Sequence, residues 1–199
     1  MAPHYDAAVD EGALTAWGYL AHHTGGKWRR VIYRSAPTLS QAIASLGVIA
    51  GKVEEKGAEA SGEFAAICHS HDDYIWQAVT GSSGSDVGQE RGEVGFSTYL
   101  ICDEARETEA DDLVKETFAS LYNAQVEAGN LVTWGWMQHW VGGKYRRIGT
   151  MTSKDFNTLV AARDAIVQSM VDNEEAGRKF SEICGSHTDY MWEVKLETP

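Results

Sequence analysis

The chain has 199 residues, 29 acidic and 17 basic, and a net charge of −12, which disfavours a duplex nucleic-acid binder because neutralising phosphates needs a basic face. It contains no run of 18 apolar residues, and its first residues lack the basic and apolar stretches of a signal peptide. We therefore expect a cytoplasmic protein with no membrane partner, large enough to bury roughly 70% of its unfolded surface.

The first half of the chain predicts a helix end, a hairpin, a helix and a strand. Residues 5–12 resemble the tail of a helix, and the two strands that follow meet at Gly25-Gly26, whose glycines allow the positive φ of a tight turn. The predicted elements are strands at 13–23 and 27–35, a helix at 38–56, a helical turn at 64–68 and a strand at 70–79.

A Gly/Ser-rich stretch at 81–93 reads as a linker, and a longer set of elements follows it. Thr108 to Asp111 has the pattern of a capping box at a helix start. The predicted elements are a strand at 94–102, a helix at 104–128, a hairpin at 131–152, helices at 155–172 and 174–184, and a strand at 189–196.

The chain repeats itself. Tyr5–Val31 matches Tyr122–Ile148 at 13 of 27 positions, and a second block matches Phe64–Trp76 to Phe180–Trp192. Both agreements exceed chance, so we infer an internal duplication. The predicted organisation is a first lobe at 1–80, the linker at 81–93 and a second lobe at 94–199.

The second copy has the element order β-α-β-β-α-β, which is typical of an α+β ferredoxin-like lobe with an antiparallel sheet and helices on one face. Residues 94–196 resemble one lobe of the dimeric α+β barrel superfamily, and residues 5–79 resemble a second. The resemblance implies two ferredoxin-like sheets packed face to face. Two lobes docked through their helices remain the alternative.

The first lobe lacks its opening strand and most of its first helix, judged against residues 95–121 of the second lobe. Either the chain begins upstream, or another subunit fills the gap, or the first lobe pairs its strands differently. We favour completion by another subunit, because an unfilled gap leaves backbone groups unpaired inside a sheet. A homo-oligomer or a partner strand is therefore expected.

Both copies carry Ser-His-x-Asp-Tyr-x-Trp, which places a His and an Asp two residues apart in an extended segment. The two side chains then share a side, so the carboxylate can orient the imidazole as a general base. The alternative is a structural cap. The candidate catalytic residues are His71 with Asp73, His187 with Asp189, and His22; the first copy has more titratable groups, so we look first around His22, His23, His69 and His71.

Aromatic and cationic side chains predict a binding surface. Alternation in the hairpin strands puts the repeated histidines opposite the repeated tryptophans, and Arg30 and Arg147 bind an anion or form a buried ion pair with Asp73 or Asp189. The candidate substrate-binding residues are Trp17, Arg30, Tyr74, Trp76, Trp134, His139, Arg147, Tyr190 and Trp192.

The three cysteines, Cys68, Cys102 and Cys184, have no CxxC spacing. We expect small buried side chains in a reducing compartment, with a Cys68–Cys184 disulfide as the alternative. Cys68, His69, His71, Asp73 and His22 also offer metal donors, but no pair has the spacing of a zinc module and His69 becomes Gly185 in the second copy. We therefore expect no metal and no cofactor.

The resemblance implies a function among those of the superfamily, which include cofactor-free monooxygenases, polyketide cyclases, lactone isomerases and haem enzymes. The leading hypothesis is a cofactor-independent enzyme that binds an aromatic or apolar organic molecule between the lobes, with a histidine as acid or base. The alternative is a non-catalytic binding or assembly protein in which the repeated His, Asp and Arg residues are structural.

Overall fold

The computed structural model describes residues 2–56, 58–83 and 92–198. The elements of the first half are α1 (Ala2–Asp10), β1 (Ala16–Gly25), β2 (Arg30–Ser35), α2 (Leu39–Lys56), α3 (Ala58–Ile67) and β3 (Ile75–Ser83). Those of the second half are β4 (Val94–Ile101), a 3₁₀ turn (Glu104–Arg106), α4 (Glu107–Leu113), a π-helical turn (Val114–Phe118), α5 (Ala119–Glu127), β5 (Thr133–Val141), β6 (Arg147–Ser153), α6 (Phe156–Asp172), α7 (Glu174–Ile183) and β7 (Ser186–Glu197).

Most predicted elements are present; β7 begins three residues earlier than predicted, and β3 and α3 differ more. β3 begins at Ile75 and runs to Ser83, so it starts later than predicted and extends into the predicted linker. Residues 84–91 of that linker lie outside the described residues. α3 is a full helix of 10 residues where the sequence predicted a short turn. No helix within the described ranges is both long and apolar enough to cross a membrane.

The chain forms two compact units. The larger unit consists of the described residues of 22–27 and 73–193, and its strands follow the antiparallel order β7-β4-β6-β5-β3. The first four of these have the strand order of a ferredoxin-like lobe, as predicted for the second copy. β3, from the first copy, adds to the edge of this sheet by pairing with β5.

The smaller unit consists of the described residues of 1–21, 28–72 and 194–199. Here β1 and β2 pair as the predicted hairpin, with Trp17 opposite Arg34, and the backbone N–H of Thr198 donates to the carbonyl of Trp17 (2.9 Å). Over the described residues, the hydrogen-bonded strand order is β2-β1-β7-β4-β6-β5-β3. The fold class is α+β with an antiparallel sheet.

The same aromatic pair anchors a helix in each unit. Tyr5 of α1 stacks on Trp17 of β1 with ring centroids 4.9 Å apart, and Tyr122 of α5 stacks on Trp134 of β5 at 4.7 Å. In both copies a side chain one residue after the tyrosine, Asp6 or Asn123, accepts a hydrogen bond from the indole nitrogen at 2.8 Å. Residues matched in sequence therefore make matched contacts.

The first Gly-Gly turn packs against β7, and the second packs against Asp73 and Tyr74, which directly precede β3. Gly25 and Gly142 have φ values of 113° and 141°, as the sequence predicted. A Cβ on Gly25 would collide with the carbonyl of Asp189, and one on Gly142 would collide with the ring of Tyr74. Glycine is thus required at both turns by conformation and by space.

A buried ion pair joins the long helical segment to the sheet of the larger unit. Arg147 is 2% exposed, and its Nε and Nη2 donate to the two carboxylate oxygens of Asp111 at 2.7 and 2.8 Å. Its Nη1 also donates to Glu107 at 3.0 Å. Arg147 therefore forms a buried ion pair, which the sequence offered as the alternative to anion binding. Its partners are Asp111 and Glu107, whereas the sequence suggested Asp73 or Asp189.

The capping box predicted at Thr108–Asp111 is wrong. The helical segment begins earlier, where the side chain of Asp103 accepts from the backbone N–H of Ala105. Asp111 lies inside α4 and is buried, and besides Arg147 it accepts a hydrogen bond from the indole of Trp136 at 2.7 Å. An acidic residue that looks like a cap in the sequence is therefore the counter-ion of a buried arginine.

Cys102 and Cys184 are buried as predicted, but they form a disulfide with each other, so the predicted free thiols and the alternative Cys68–Cys184 pairing are both wrong. Cys102 directly follows β4, and Cys184 lies between α7 and β7. Because β4 and β7 pair with Ile101 opposite Ser186, the two thiols meet at the same end of the sheet. A disulfide that closes a loop of this length stabilises a fold by about 2–4 kcal/mol. Cys68 is a free, partly buried thiol.

We expect Asp111→Asn to lower the free energy of unfolding by about 3 kcal/mol, because it leaves the buried Arg147 guanidinium without its main counter-charge. Chemical denaturation followed by circular dichroism measures this change. Arg30 is the matched control, since it is the equivalent arginine of the first copy and is exposed; Arg30→Ala should change stability by less than about 0.5 kcal/mol. Equal effects of the two substitutions would contradict the assignment.

Candidate functional site

The larger unit contains a cavity of about 970 Å³ between the sheet and the helices that cover it. Its lining residues lie on β4, β5 and β6 on one side, and on the π-helical turn, α5, α6 and α7 on the other. Pockets that hold drug-sized organic molecules measure roughly 300–1,000 Å³. The sequence predicted a site between the two lobes, whereas this cavity lies on the helix side of the sheet.

A glycine leaves space at the floor of the cavity. Thr98, Gly149 and Trp136 are consecutive partners across β4, β6 and β5, so they form one row on the helix-covered face. Gly149 lacks the side chain that would fill the middle of this row, and a Cβ there would meet only Trp136, at 3.7 Å. The neighbouring row is filled by Phe96, Met151 and Trp134. The cavity therefore opens over Gly149.

The helical wall is apolar and contains the π-helical turn. Val114 and Phe118, at the two ends of that turn, line the cavity, and so do Ile166 and Met170 of α6 and Phe180 of α7. π-helical turns occur frequently at functional sites, because the extra residue re-aims the side chains of a helix. The interior thus offers an apolar surface to a ligand.

Tyr122 is a polar group on this wall. Its ring stacks on Trp134, and its hydroxyl has no hydrogen-bond partner among the described residues. Burial raises the pKa of Tyr122 to about 12, partly offset by the nearby charge of Arg163. The phenol is therefore protonated at neutral pH and can donate a hydrogen bond into the cavity.

The two indoles of the cavity already have acceptors. Trp134 donates to Asn123 at 2.8 Å, and Trp136 donates to Asp111 at 2.7 Å. These bonds fix the ring planes without using the cavity space. The tryptophans consequently present apolar ring surface, rather than polar nitrogen, to whatever binds there.

The mouth of the cavity is charged. Its exposed lining residues include His187, whose Nε2 lies 3.5 Å from Asp189 Oδ2. The same carboxylate oxygen lies 3.5 Å from Arg163 Nη2, and Asp189 Oδ1 is buried without a hydrogen-bond partner among the described residues. The sequence thus predicted the His187–Asp189 contact correctly. It missed Arg163, which contributes to the same cluster.

Several predicted binding residues lie on the opposite face of the sheet, in an aromatic cluster of the larger unit. Tyr74 stacks on Trp76 with centroids 5.1 Å apart, and Tyr190 stacks on Trp192 at 4.9 Å. Between them lies Tyr99, whose pKa is raised by burial and then by the neighbouring phenols. These rings pack against one another, and the cavity lies on the other face of the sheet.

His22 and His139 contact this aromatic cluster. The ring of His22 approaches Trp192 edge-on at 6.1 Å, and that of His139 approaches Trp76 at 6.0 Å. Arg146 Nη1 lies 3.1 Å from His139 Nδ1; because a guanidinium only donates, Nδ1 is the acceptor. The predicted placement of His139 on the face opposite Trp134 is confirmed.

The remaining predicted residues are not among those that line the cavity. Trp17 belongs to the core of the smaller unit, Arg30 is exposed, and Arg147 is held by its ion pairs. His71 and Asp73 are exposed and precede β3 rather than lying in it. Within the described ranges, no group of three or more His, Cys, Asp or Glu side chains is placed to hold a metal ion.

Sequence comparison finds no matching protein-family model and no matching curated protein. Structure comparison finds a protein described as anthrone oxidase-like, with a TM-score of 0.54, 13% identity, and coverage of 98% of this chain and 84% of the other. A protein from Lactobacillus acidophilus NCFM, provisionally named a monooxygenase, matches with a TM-score of 0.50, 8% identity, and coverage of 99% and 89%. At such identities these likenesses establish the fold alone.

We expect Gly149→Val to obstruct the floor of the cavity with little cost in stability, since φ at Gly149 is not positive and a Cβ meets only Trp136. Binding of an apolar reporter dye, measured by its fluorescence, should fall at least about tenfold, because the lost pocket area is worth more than about 1.4 kcal/mol. The thermal midpoint should change little. Unaltered dye binding would show that the dye uses another surface.

Proposed function

We propose that this chain, which has the fold of the dimeric α+β barrel superfamily, is a cofactor-independent enzyme that oxidises a planar aromatic molecule in the helix-side cavity. The observation that carries the proposal is the cavity itself: about 970 Å³ of mostly apolar space with a histidine–aspartate contact at its mouth. The names of the structural neighbours support an oxygenase reaction.

His187 is the proposed base. Because the carboxylate of Asp189 lies beside its Nε2, the imidazole favours the tautomer with the proton on Nε2, which leaves Nδ1 free to accept a proton. The site thus has an oriented base next to an apolar chamber.

The proposed reaction is the oxidation of an activated CH₂ group, as in an anthrone, a tricyclic aromatic ketone. His187 takes a proton from the CH₂, and the resulting carbanion transfers its electrons to O₂ and bonds to it. The hydroperoxide then loses water to give a carbonyl. The balance is R₂CH₂ + O₂ → R₂C=O + H₂O, with one oxygen atom in the product and one in water.

We also propose that two lobes arose by duplication and that the first lacks its opening strand. The matched pairs Tyr5–Trp17 and Tyr122–Trp134 support the duplication. In the second copy β4 lies between β7 and β6, whereas their counterparts in the first copy, β3 and β2, are the two ends of the strand order. Completing the first copy on the pattern of the second would require a further strand paired with both, and we propose that another chain supplies it.

If another chain supplies that strand, the protein should form an oligomer in solution. Light scattering coupled to size-exclusion chromatography measures the mass directly, and we expect at least twice the 21.8 kDa of one chain. Exposed strand edges favour such pairing because they present unpaired backbone groups. A mass of one chain at every concentration would contradict the completion by another subunit.

The enzymatic proposal is tested with anthrone as the probe, by following anthraquinone formation and oxygen consumption in a 1:1 ratio. We expect His187→Ala to lower kcat/KM by about 10²–10⁴, the usual contribution of a general base, with an unchanged thermal midpoint because the side chain is half exposed. The control is His71→Ala, the equivalent histidine of the first copy, which should retain full activity.

Three outcomes separate the alternatives. Equal losses in both histidine variants would refute the role of His187. Anthrone binding without oxidation would favour the non-catalytic binding protein. A large loss of stability in His187→Ala with binding intact would support a structural role for the repeated motif.

A further inference from the structure

The two copies share an aromatic stack but differ in the group that faces it. Counting from the matched pair Tyr5 and Tyr122, the position equivalent to Arg163 is Leu46. The helices align well at this offset, since Ile49 and its equivalent Ile166 are both buried. The cationic group beside the tyrosine therefore belongs to the second copy alone.

Arg163 is held loosely for a partly buried guanidinium. Its Nη2 lies 3.5 Å from Asp189 and its Nη1 lies 3.9 Å from Asp164, whereas Arg147 makes contacts of 2.7 and 2.8 Å. The guanidinium carbon lies 4.7 Å from the centre of the Phe96 ring. This aromatic contact holds the guanidinium beside Phe96 without using its N–H groups, which remain donors for a ligand.

Tyr122 and Arg163 line the same cavity and are close enough for the charge of Arg163 to act on the phenol. Both groups donate hydrogen bonds at neutral pH, and neither is saturated by the described residues. In the first copy, Tyr5 stacks on Trp17 in the same way, although the position matched to Arg163 is Leu46. The stacking therefore does not require the arginine. The hydroxyl of Tyr122 is thus available for a further role.

We propose that Tyr122 and Arg163 form a recognition site for the oxygen of an aromatic ketone or phenolate bound in the cavity. This inference rests on the proposed function, and it narrows the substrate class to planar aromatic molecules with one exposed oxygen acceptor. The ring system lies against Trp134 and Trp136, and its oxygen accepts from the phenol and the guanidinium. Purely hydrocarbon rings lack this acceptor and bind through apolar contact alone.

The test compares fluorenone with fluorene, which share a tricyclic frame and differ by the ketone oxygen. Equilibrium dialysis with the full chain gives both dissociation constants. We expect fluorenone to bind about tenfold more tightly, as one or two donated hydrogen bonds provide. Tyr122→Phe should remove most of this preference and leave the affinity for fluorene unchanged, which also shows that the variant is folded.

Two further variants complete the design. Arg163→Leu installs the residue of the first copy and should reduce the fluorenone preference as well, whereas Tyr5→Phe, the matched control, should leave both affinities unchanged. Equal affinity of the wild-type chain for both compounds would overturn this inference while leaving the apolar aromatic site intact. Failure of both compounds to bind would instead overturn the proposed function.

Discussion

The buried contact between Arg147 and Asp111 connects the packing of the larger unit to its cavity. The carboxylate lies in α4, three residues before the start of the π-helical turn. It also accepts a hydrogen bond from the indole of Trp136 on the cavity floor. One side chain therefore fixes the helix against the sheet and orients a ring that a ligand would contact. An uncompensated buried charge costs several kcal/mol, so the two partners resist separation. The pair therefore holds α4 and the Trp136 ring in place beside the cavity.

The repeat explains which contacts are general and which are local. Stacked tyrosine–tryptophan pairs and glycine turns occur in both copies with nearly the same geometry, so they maintain the fold. The arginines differ: Arg147 is buried in ion pairs, whereas Arg30 is exposed. Arg147 has Asp111 as its buried partner, whereas the exposed Arg30 needs no such counter-charge. Matched residues therefore have a matched role only where their partners match as well.

Local features of the fold could be predicted from the sequence, and contacts between distant segments could not. The hairpins follow from glycine conformation, and α6 follows from apolar spacing with Asp155 as its cap. The pairing of β3 with β5 depends on a strand from each copy, which no local pattern specifies. Two features of the sequence indicate the contacts that were not predicted. Arg163 lies on the apolar face of its helix between Leu159 and Ile166, and a buried arginine requires an acidic residue on a facing helix.

The position of the cavity follows from how the two faces of the sheet are filled. On one face, the rings of Tyr74, Trp76, Tyr99 and Tyr190 form a chain with successive centroids 5.1, 6.2 and 5.6 Å apart, so aromatic side chains pack on that face. On the other, Gly149 has no side chain, and the helices cannot collapse onto it because Asp111 and the stacked Tyr122 hold them at a set distance. This cavity lies where a small residue faces elements that are fixed elsewhere. The aromatic residues that the sequence offered as ligand contacts thus fill the sheet's other face, and a glycine creates the space for a ligand.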